Sequence, residues 1–377
     1  MFLFHYLVSF IVILSLIVFI HEFGHYIVAK KFGVKIEEFA IGFGKELWGF
    51  NDKSGTRWKF CLIPLGGYVK MFGDQNAASA PDQQMKQKKL TKKEREGAFL
   101  FKPLYQRFLV VLAGPLANYL LAIVILFFLF CKFGISSSTS LVTEVLPDSP
   151  ASEAGLIEGD MIAVIEGKKI KDFNDIQQIV QISANMPLDF TIERDGGFFD
   201  VTITPEEKST KDFLGNEIKT GLLGIRSDKI VYREVGVVDA ALLSVTEVVD
   251  MTVLSLKVVK QLILGQRSLS DLGGPVKIAK YSGQVTKKSL AKDEDGKRNL
   301  YLIFWFIAII SINLGFANLL PIPMLDGGHL FLYTIEAVRG KELSANVQEL
   351  VFKVGFAFLL LIFAFVTISD IKFLLAG

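Results

Sequence analysis

His21, Glu22 and His25 lie in the stretch "FIHEFGHYIVAKK" (Phe19–Lys31), at the end of an otherwise uncharged apolar run that begins at Met1. On a helix, positions i and i+4 present their side chains on one face a turn apart, so both imidazoles face the same way and Glu22 lies beside them. H-E-x-x-H offers two neutral nitrogen ligands for a tetrahedral Zn2+, and a carboxylate able to take a proton from a water activated there. The competing reading is a chance match that leaves an interfacial histidine pair. With four histidines in the whole chain, and with ionisable clusters inside apolar spans costly unless they function, the metal reading is preferred.

Catalytic zinc usually takes three protein ligands and keeps one position for water. The third ligand is expected from another intramembrane segment at similar depth, and "NLLPIPMLDGGHL" (Asn318–Leu330) supplies Asp326. Pro321 and Pro323 should break the helix before it, and Gly327 and Gly328 should allow an irregular backbone there. Such backbone is tolerated at membrane depth only where protein or a water-filled cavity surrounds it. Alone, Asp326 would read as a solvated turn residue; beside H-E-x-x-H it reads as a ligand. Asn118 and Asn318 are polar residues in apolar helices, able to bond a substrate backbone, to orient a ligand, or to join helices. His329 reads equally well as a support for a ligand or as a surface residue, and His5, Trp48 and Trp58 read as interfacial.

The elements that must carry these residues are membrane spans. Of 377 residues 51% are hydrophobic, including 33 Phe, which is too apolar for an ordinary soluble protein. A net charge of +2 supplies no basic field for nucleic acid, so no nucleic-acid partner is expected. Four stretches approach the roughly 20 residues a helix needs to cross a bilayer: Phe2–Ile20 continuing to Ala29, Phe108–Phe130, Leu300–Leu320 and Val351–Ile368. "MFLFHYL" has no basic start and no small-residue cleavage site follows, so the first stretch is expected to be a retained span. Lysine and arginine crowd the loop between the first two spans, in "AKKFGVK", "KQKKLTKKERE" (Lys86–Glu96) and "FKPLYQR". That loop is therefore expected in the cytoplasm, with both termini and residues 135–299 outside. Cys61 and Cys131 then fall on opposite sides of the bilayer and build no disulfide framework.

The outer segment divides in two. Ser140–Pro205 reads as short strands and turns, with a hairpin around "RDGG" in Asp189–Thr204, a helix "FNDIQQIVQ" capped by Asn174, and a last strand in "GLLGIRS" (Gly221–Ser227). This pattern is similar to a PDZ domain, which adds a peptide strand to a sheet edge. Val235–Gly265 carries Asp239, Glu247, Asp250, Lys257 and Lys260 near one face, and reads as an amphipathic helix in the interface rather than a fifth crossing. A fifth crossing would put Asp326 on the opposite side from His21. The expected organisation is an N-terminal membrane part (1–134), a PDZ-like domain (135–230), an amphipathic helix and linker (231–299) and a C-terminal membrane part (300–377).

HEFGH in the first span, "AGPLAN" (Ala113–Asn118), the PDZ-like insert and "NLLPIPMLDGGH" together resemble the site-2 protease family of intramembrane zinc metalloproteases, most of all the bacterial regulator-of-sigma-E protease group. The likeness runs over nearly the whole chain and includes "IGFGKELW" (Ile41–Trp48), "CLIPLGGYVKM" (Cys61–Met71) and "LGGPVKIAK" (Leu272–Lys280). The best-known members of that group have two tandem PDZ domains; one is expected in this chain. The resemblance implies a polytopic α-helical protein of the bacterial inner membrane, with four transmembrane helices, a membrane-reentrant β-structure and an extracytoplasmic PDZ-like domain. It implies zinc held by His21, His25 and Asp326, and Glu22 as general base. The implied substrates are transmembrane segments of single-span membrane proteins, such as anti-sigma factors or remnant signal peptides. Such a helix must unwind before it is cut, and the edge strand expected to capture it is Gly66–Lys70, with Gly66, Gly67 and Tyr68 at its start. The PDZ groove would take a peptide or an unfolded C-terminus. Two other classes compete. A non-enzymatic PDZ scaffold has no use for an intact HEFGH and LDGG, and a zinc transporter needs further ligands that the second and fourth spans lack.

Overall fold

Apolar runs without helix breakers become long helices, because a helix satisfies its own backbone where no water can. A computed structural model describes residues 2–73, 90–137, 139–211, 217–227, 231–269, 272–291 and 298–376; Lys86–Lys89 of the basic loop lie outside them. Among the described residues, four helices are long and apolar enough to cross a membrane: α1 (Phe2–Lys31), α3 (Leu104–Phe133), α8 (Tyr301–Leu319) and α10 (Ala345–Ala376). At about 1.5 Å per residue each approaches or exceeds the ~30 Å hydrocarbon layer. The chain forms two compact units, one of Met1–Leu126, Glu247–Thr252 and Leu269–Ala376, the other of Phe127–Thr246 and Val253–Ser268.

In the first unit α1 leads into a long antiparallel hairpin, β1 (Ile36–Asn51) and β2 (Arg57–Met71), then α2 (Lys92–Gly97) and α3. The hairpin is bent on itself. Glu38–Ile41 register with Gly67–Lys70 and also with Arg57–Phe60. Its turn is pinned to α1: Tyr26 Oη donates to Asp52 Oδ2 at 3.0 Å, and Lys30 Nζ reaches Tyr26 Oη and Ser54 Oγ, both at 2.6 Å. Tyr26, Ile36, Phe39 and Val69 share one buried cluster with Val110 and Val111 of α3 and with Leu330 and Tyr333 of α9 (Asp326–Arg339). That core sets α1, the hairpin, α3 and α9 around one point. On α1 the opposite side packs Ile13 and Ile17 against Ile307 of α8.

The second unit begins with β3 (Ile135–Ser137), β4 (Glu144–Val145) and α4 (Pro150–Glu153). β5 (Met161–Ile165), β6 (Lys168–Lys169), α5 (Phe173–Gln181), β7 (Leu188–Arg194) and β8 (Gly197–Ile203) follow. The chain continues through β9 (Glu206–Lys211), β10 (Glu217–Leu222), β11 (Ile225–Arg226), β12 (Val231–Arg233) and α6 (Val237–Ile263). Its main sheet has the order β6-β5-β7-β8, and Ile162, Ile165, Phe190 and Ile192 bury against Ile176 and Ile179 of α5. The expected hairpin turns at Asp195 and Gly196, whose φ of 51° and 79° are those of a primed two-residue turn.

Three local expectations are corrected. α5 is capped by Asp172, whose side chain accepts from Asp175 N, and not by Asn174; the earlier residue has the extended backbone a cap requires. Where a linker was expected after α6, Pro275–Leu290 form a further helix, α7. Asp370 of α10 caps it from outside, accepting from Val276 N at 3.1 Å and Lys277 N at 2.9 Å. Gly327 and Gly328 do not form irregular backbone: they occupy the first turn of α9, where a Cβ would stand 2.2 Å from the Leu320 carbonyl and 2.4 Å from that of Ile322. The prolines do end α8, at Leu319.

Candidate metal centre

α1 turns His21 and His25 to the same side, as the i, i+4 spacing requires, and α9 brings Asp326 to them. His21 Nε2 lies 3.0 Å and His25 Nε2 3.4 Å from Asp326 Oδ2, and the two Nε2 atoms are 3.3 Å apart. Tetrahedral zinc with bonds of about 2.0–2.1 Å separates its ligands by roughly 3.3 Å, so the three atoms already have the spacing of one tetrahedral face. Asp326 Oδ2 is buried with no hydrogen-bond donor. A buried carboxylate oxygen facing two unprotonated imidazole nitrogens is costly unless a cation joins them. These residues fit zinc.

Both rings are held from behind. His25 Nδ1 donates to the Val110 carbonyl at 2.8 Å, which leaves its Nε2 unprotonated toward Asp326. The Asn118 amide meets His21 Nδ1 at 3.1 Å, while Asn118 Oδ1 has no partner. Turned so that Oδ1 accepts from Nδ1–H, the same amide keeps His21 in the tautomer a metal ligand needs. "AGPLAN" now has a physical reading. A Cβ on Gly114 would stand 2.2 Å from His25 Nε2. Pro115 sits inside α3 without an N–H to give back to the helix. Asn118, fully buried, reaches His21.

The other expected residues distribute differently. Asn318 Nδ2 comes within 3.4 Å of His21 Nε2, at the edge of the cluster. Gly67 presses against Glu22: a Cβ there would lie 3.1 Å from Glu22 Cγ and 2.9 Å from Val18 Cγ1. Gly66 adopts a φ of 97°, which favours glycine. Tyr68, next along the strand, turns away and donates from its hydroxyl to Glu38 Oε2 at 3.0 Å. The strand Gly67–Lys70 has β1 on one side and no other described strand on the second. His329 is buried, its ring 5.0 Å from that of Phe352. Sequence reasoning missed the Val110 carbonyl, since a backbone atom leaves no residue-type signal. Pro115, five residues on, was the available hint of an unusual helix.

Four bilayer-length helices and a His–His–Asp cluster beside a glutamate make this a zinc metalloprotease of the membrane-protein class. The chain belongs to peptidase family M50, the site-2 protease family, whose model matches residues 9–362. A candidate zinc metalloprotease of Rhizobium meliloti is 38% identical over 97% of this chain and 96% of its own length. One of Rickettsia conorii is 38% identical over 97% and 98%, and metalloprotease MmpA of Caulobacter vibrioides 38% over 97% and 95%. A solved PDZ domain of an SdrC-like protein from Listeria innocua is matched over 25% of this chain and 99% of its own, at 21% identity and a TM-score of 0.20.

Proposed function

We propose that this chain is an intramembrane endopeptidase that cuts the transmembrane segments of single-span membrane proteins, anti-sigma factors or remnant signal peptides among them, in regulated intramembrane proteolysis. The convergence of His21, His25 and Asp326 at 3.0–3.4 Å, on helices apolar enough to lie in the bilayer, carries this reading. His21, His25 and Asp326 hold the metal. Zinc, when bound, polarises a peptide carbonyl and makes water a better nucleophile at neutral pH. Glu22 accepts the proton of the attacking water on a carboxylate oxygen and passes it to the amide nitrogen as the C–N bond breaks. Val110 and Asn118 hold the two rings. The free edge of Gly67–Lys70, against Glu22, pairs with the unwound substrate and sets its carbonyl toward the cluster. Exposed Leu47, Trp48, Phe50, Leu62 and Ile63 along the hairpin support its entry into the bilayer as a reentrant element.

Both termini lie outside the bacterial inner membrane, and residues 135–230 form an extracytoplasmic PDZ-like domain that takes a peptide or unfolded C-terminus. Packing in the first unit supports the parity. α7 meets Tyr6 near the start of α1, through Gly283, and Asp370 near the end of α10, while Lys102, just before α3, donates to the Phe32 carbonyl just after α1 at 2.7 Å.

The test is Glu22→Gln, which keeps size and both histidines but cannot take the proton. Zinc content should stay at wild-type level, and cleavage of a reconstituted single-span substrate should fall by at least ~10²–10⁴. Equal cleavage rates for the two proteins would remove Glu22 from the chemistry.

A further inference from the structure

α3 and α9 each carry half of what the metal centre needs. α3 holds the rings, through Val110 on His25 and Asn118 on His21, and α9 begins with Asp326. The register between these helices decides whether Asp326 Oδ2 meets the two Nε2 atoms. Apolar packing of Leu330 and Tyr333 with Val110 and Val111 joins them, but such packing is non-directional.

A second contact is directional. Arg107, one turn before Val110 and Val111, meets Glu336 at the far end of α9, with Nη2 and Oε2 3.6 Å apart. The two residues are only 8% and 5% exposed. The guanidinium also lies over the Tyr333 ring at 5.0 Å and reaches Glu342 at 3.7 Å. Glu336 Oε1 accepts from Leu343 N at 3.1 Å and Gln348 Nε2 at 3.4 Å, closing the turn into α10. Yet Arg107 Nε and Glu336 Oε2 are buried without a hydrogen bond. An ion pair buried and incompletely satisfied is a poor source of stability, and apolar residues of similar volume often do as well or better. What apolar residues do badly is specify one register among several, which is the best-attested use of a buried polar contact.

We propose that Arg107 and Glu336 are positioning residues that lock α9 to α3 in the register that brings Asp326 to His21 and His25. The proposal rests on the reading of that cluster as the zinc site. Neither residue touches reacting atoms. Asp326 and Glu336 are joined by a continuous helix, about 15 Å apart along its axis, and a slip of one turn would carry Asp326 about 5.4 Å from its place. That is more than the separations within the cluster allow.

The experiment compares the full-length protein with Glu336→Gln, with the double variant Arg107→Met/Glu336→Met, and with Asp326→Asn. Thermal midpoint, zinc affinity by chelator competition and cleavage of a single-span reporter are measured on each. Glu336→Gln keeps Oε1 for Leu343 and should bind zinc at least tenfold more weakly, with a fall in kcat and little change in KM. The double methionine variant should match or exceed the wild-type midpoint and still bind zinc at least tenfold more weakly. Wild-type zinc affinity and kcat in the double variant, or its failure to fold, would show a merely structural pair and overturn the lock. If Asp326→Asn leaves zinc affinity unchanged, the ligand assignment falls and the lock with it. If Asp326→Asn weakens zinc and the double variant does not, only the lock falls.

Discussion

Each imidazole in the cluster is fixed by what touches its far nitrogen, so the quality of the proposed zinc ligands depends on α3 as much as on α1. His21→Ala should lower zinc stoichiometry, by metal analysis of purified protein, from about one per chain toward zero. Asp326→Asn should lose less, because the amide keeps an oxygen donor. Asn118→Ala leaves every ligand in place and removes only the partner of His21 Nδ1. Loss of such a partner typically weakens metal binding ~10–100-fold, so chelator competition should find the variant weaker by that factor. Unchanged affinity would mean that Asn118 serves the helix interface alone, a role its contact with Gly315 also permits, since a Cβ on Gly315 would lie 3.3 Å from Asn118 Cβ.

Among the elements, the hairpin and the four-stranded sheet of the second unit make separable demands. Gly67→Pro would remove a backbone donor from β2 and push bulk toward Val18 and Glu22. Reporter cleavage should collapse while zinc content holds; a variant that cuts at the wild-type rate would exclude strand pairing at this residue. In the second unit Phe190 is 1% exposed at the centre of the sheet, so Phe190→Ala should cost about 3–5 kcal/mol of that unit's stability. Asp160 adds a pH dependence. Burial pushes its pKa up, but two hydrogen bonds from Arg194, one from Ile157 N, and the guanidinium charge more than offset this and hold it below the usual carboxylate range. The folded state then gains stability that is fully present above the unfolded carboxylate value, about pH 4, and is lost as pH falls through the lower folded value. Asp160→Asn should flatten the acid limb of the unfolding profile and leave its neutral limb sloped as in wild type.

For the molecule as a whole, the four-span topology is open to a direct measurement. With Cys61 and Cys131 replaced, a cysteine at Lys92, exposed on α2, should be shielded from a membrane-impermeant reagent in intact cells, and one at Ser209 of β9 should react. Labelling in the reverse pattern would invert the protein. Much of this was legible from residue order, because the interactions concerned are local or periodic. An apolar run of bilayer length satisfies its own backbone as a helix where water is absent, i and i+4 on a helix share a face, and two prolines end α8. The "RDGG" turn is equally local, since Asp195 and Gly196 need nothing but their own backbone to adopt positive φ. Other features depended on residues far apart in the chain meeting. α7 is weakly apolar, and its N-terminus is completed by Asp370, 93–96 residues away. Gly327 and Gly328 looked like loop residues because glycine's usual signal is conformational freedom; their actual role is close approach to the carbonyls of Leu320 and Ile322, a need that arises only once the chain folds back on itself. Types and spacing determined which side chains could bind zinc and activate water. Tertiary packing alone decided that the Val110 carbonyl holds His25, that Gly67 rather than Tyr68 faces Glu22, and that Arg107 meets Glu336, since each joins segments whose separation in sequence carries no periodic signal.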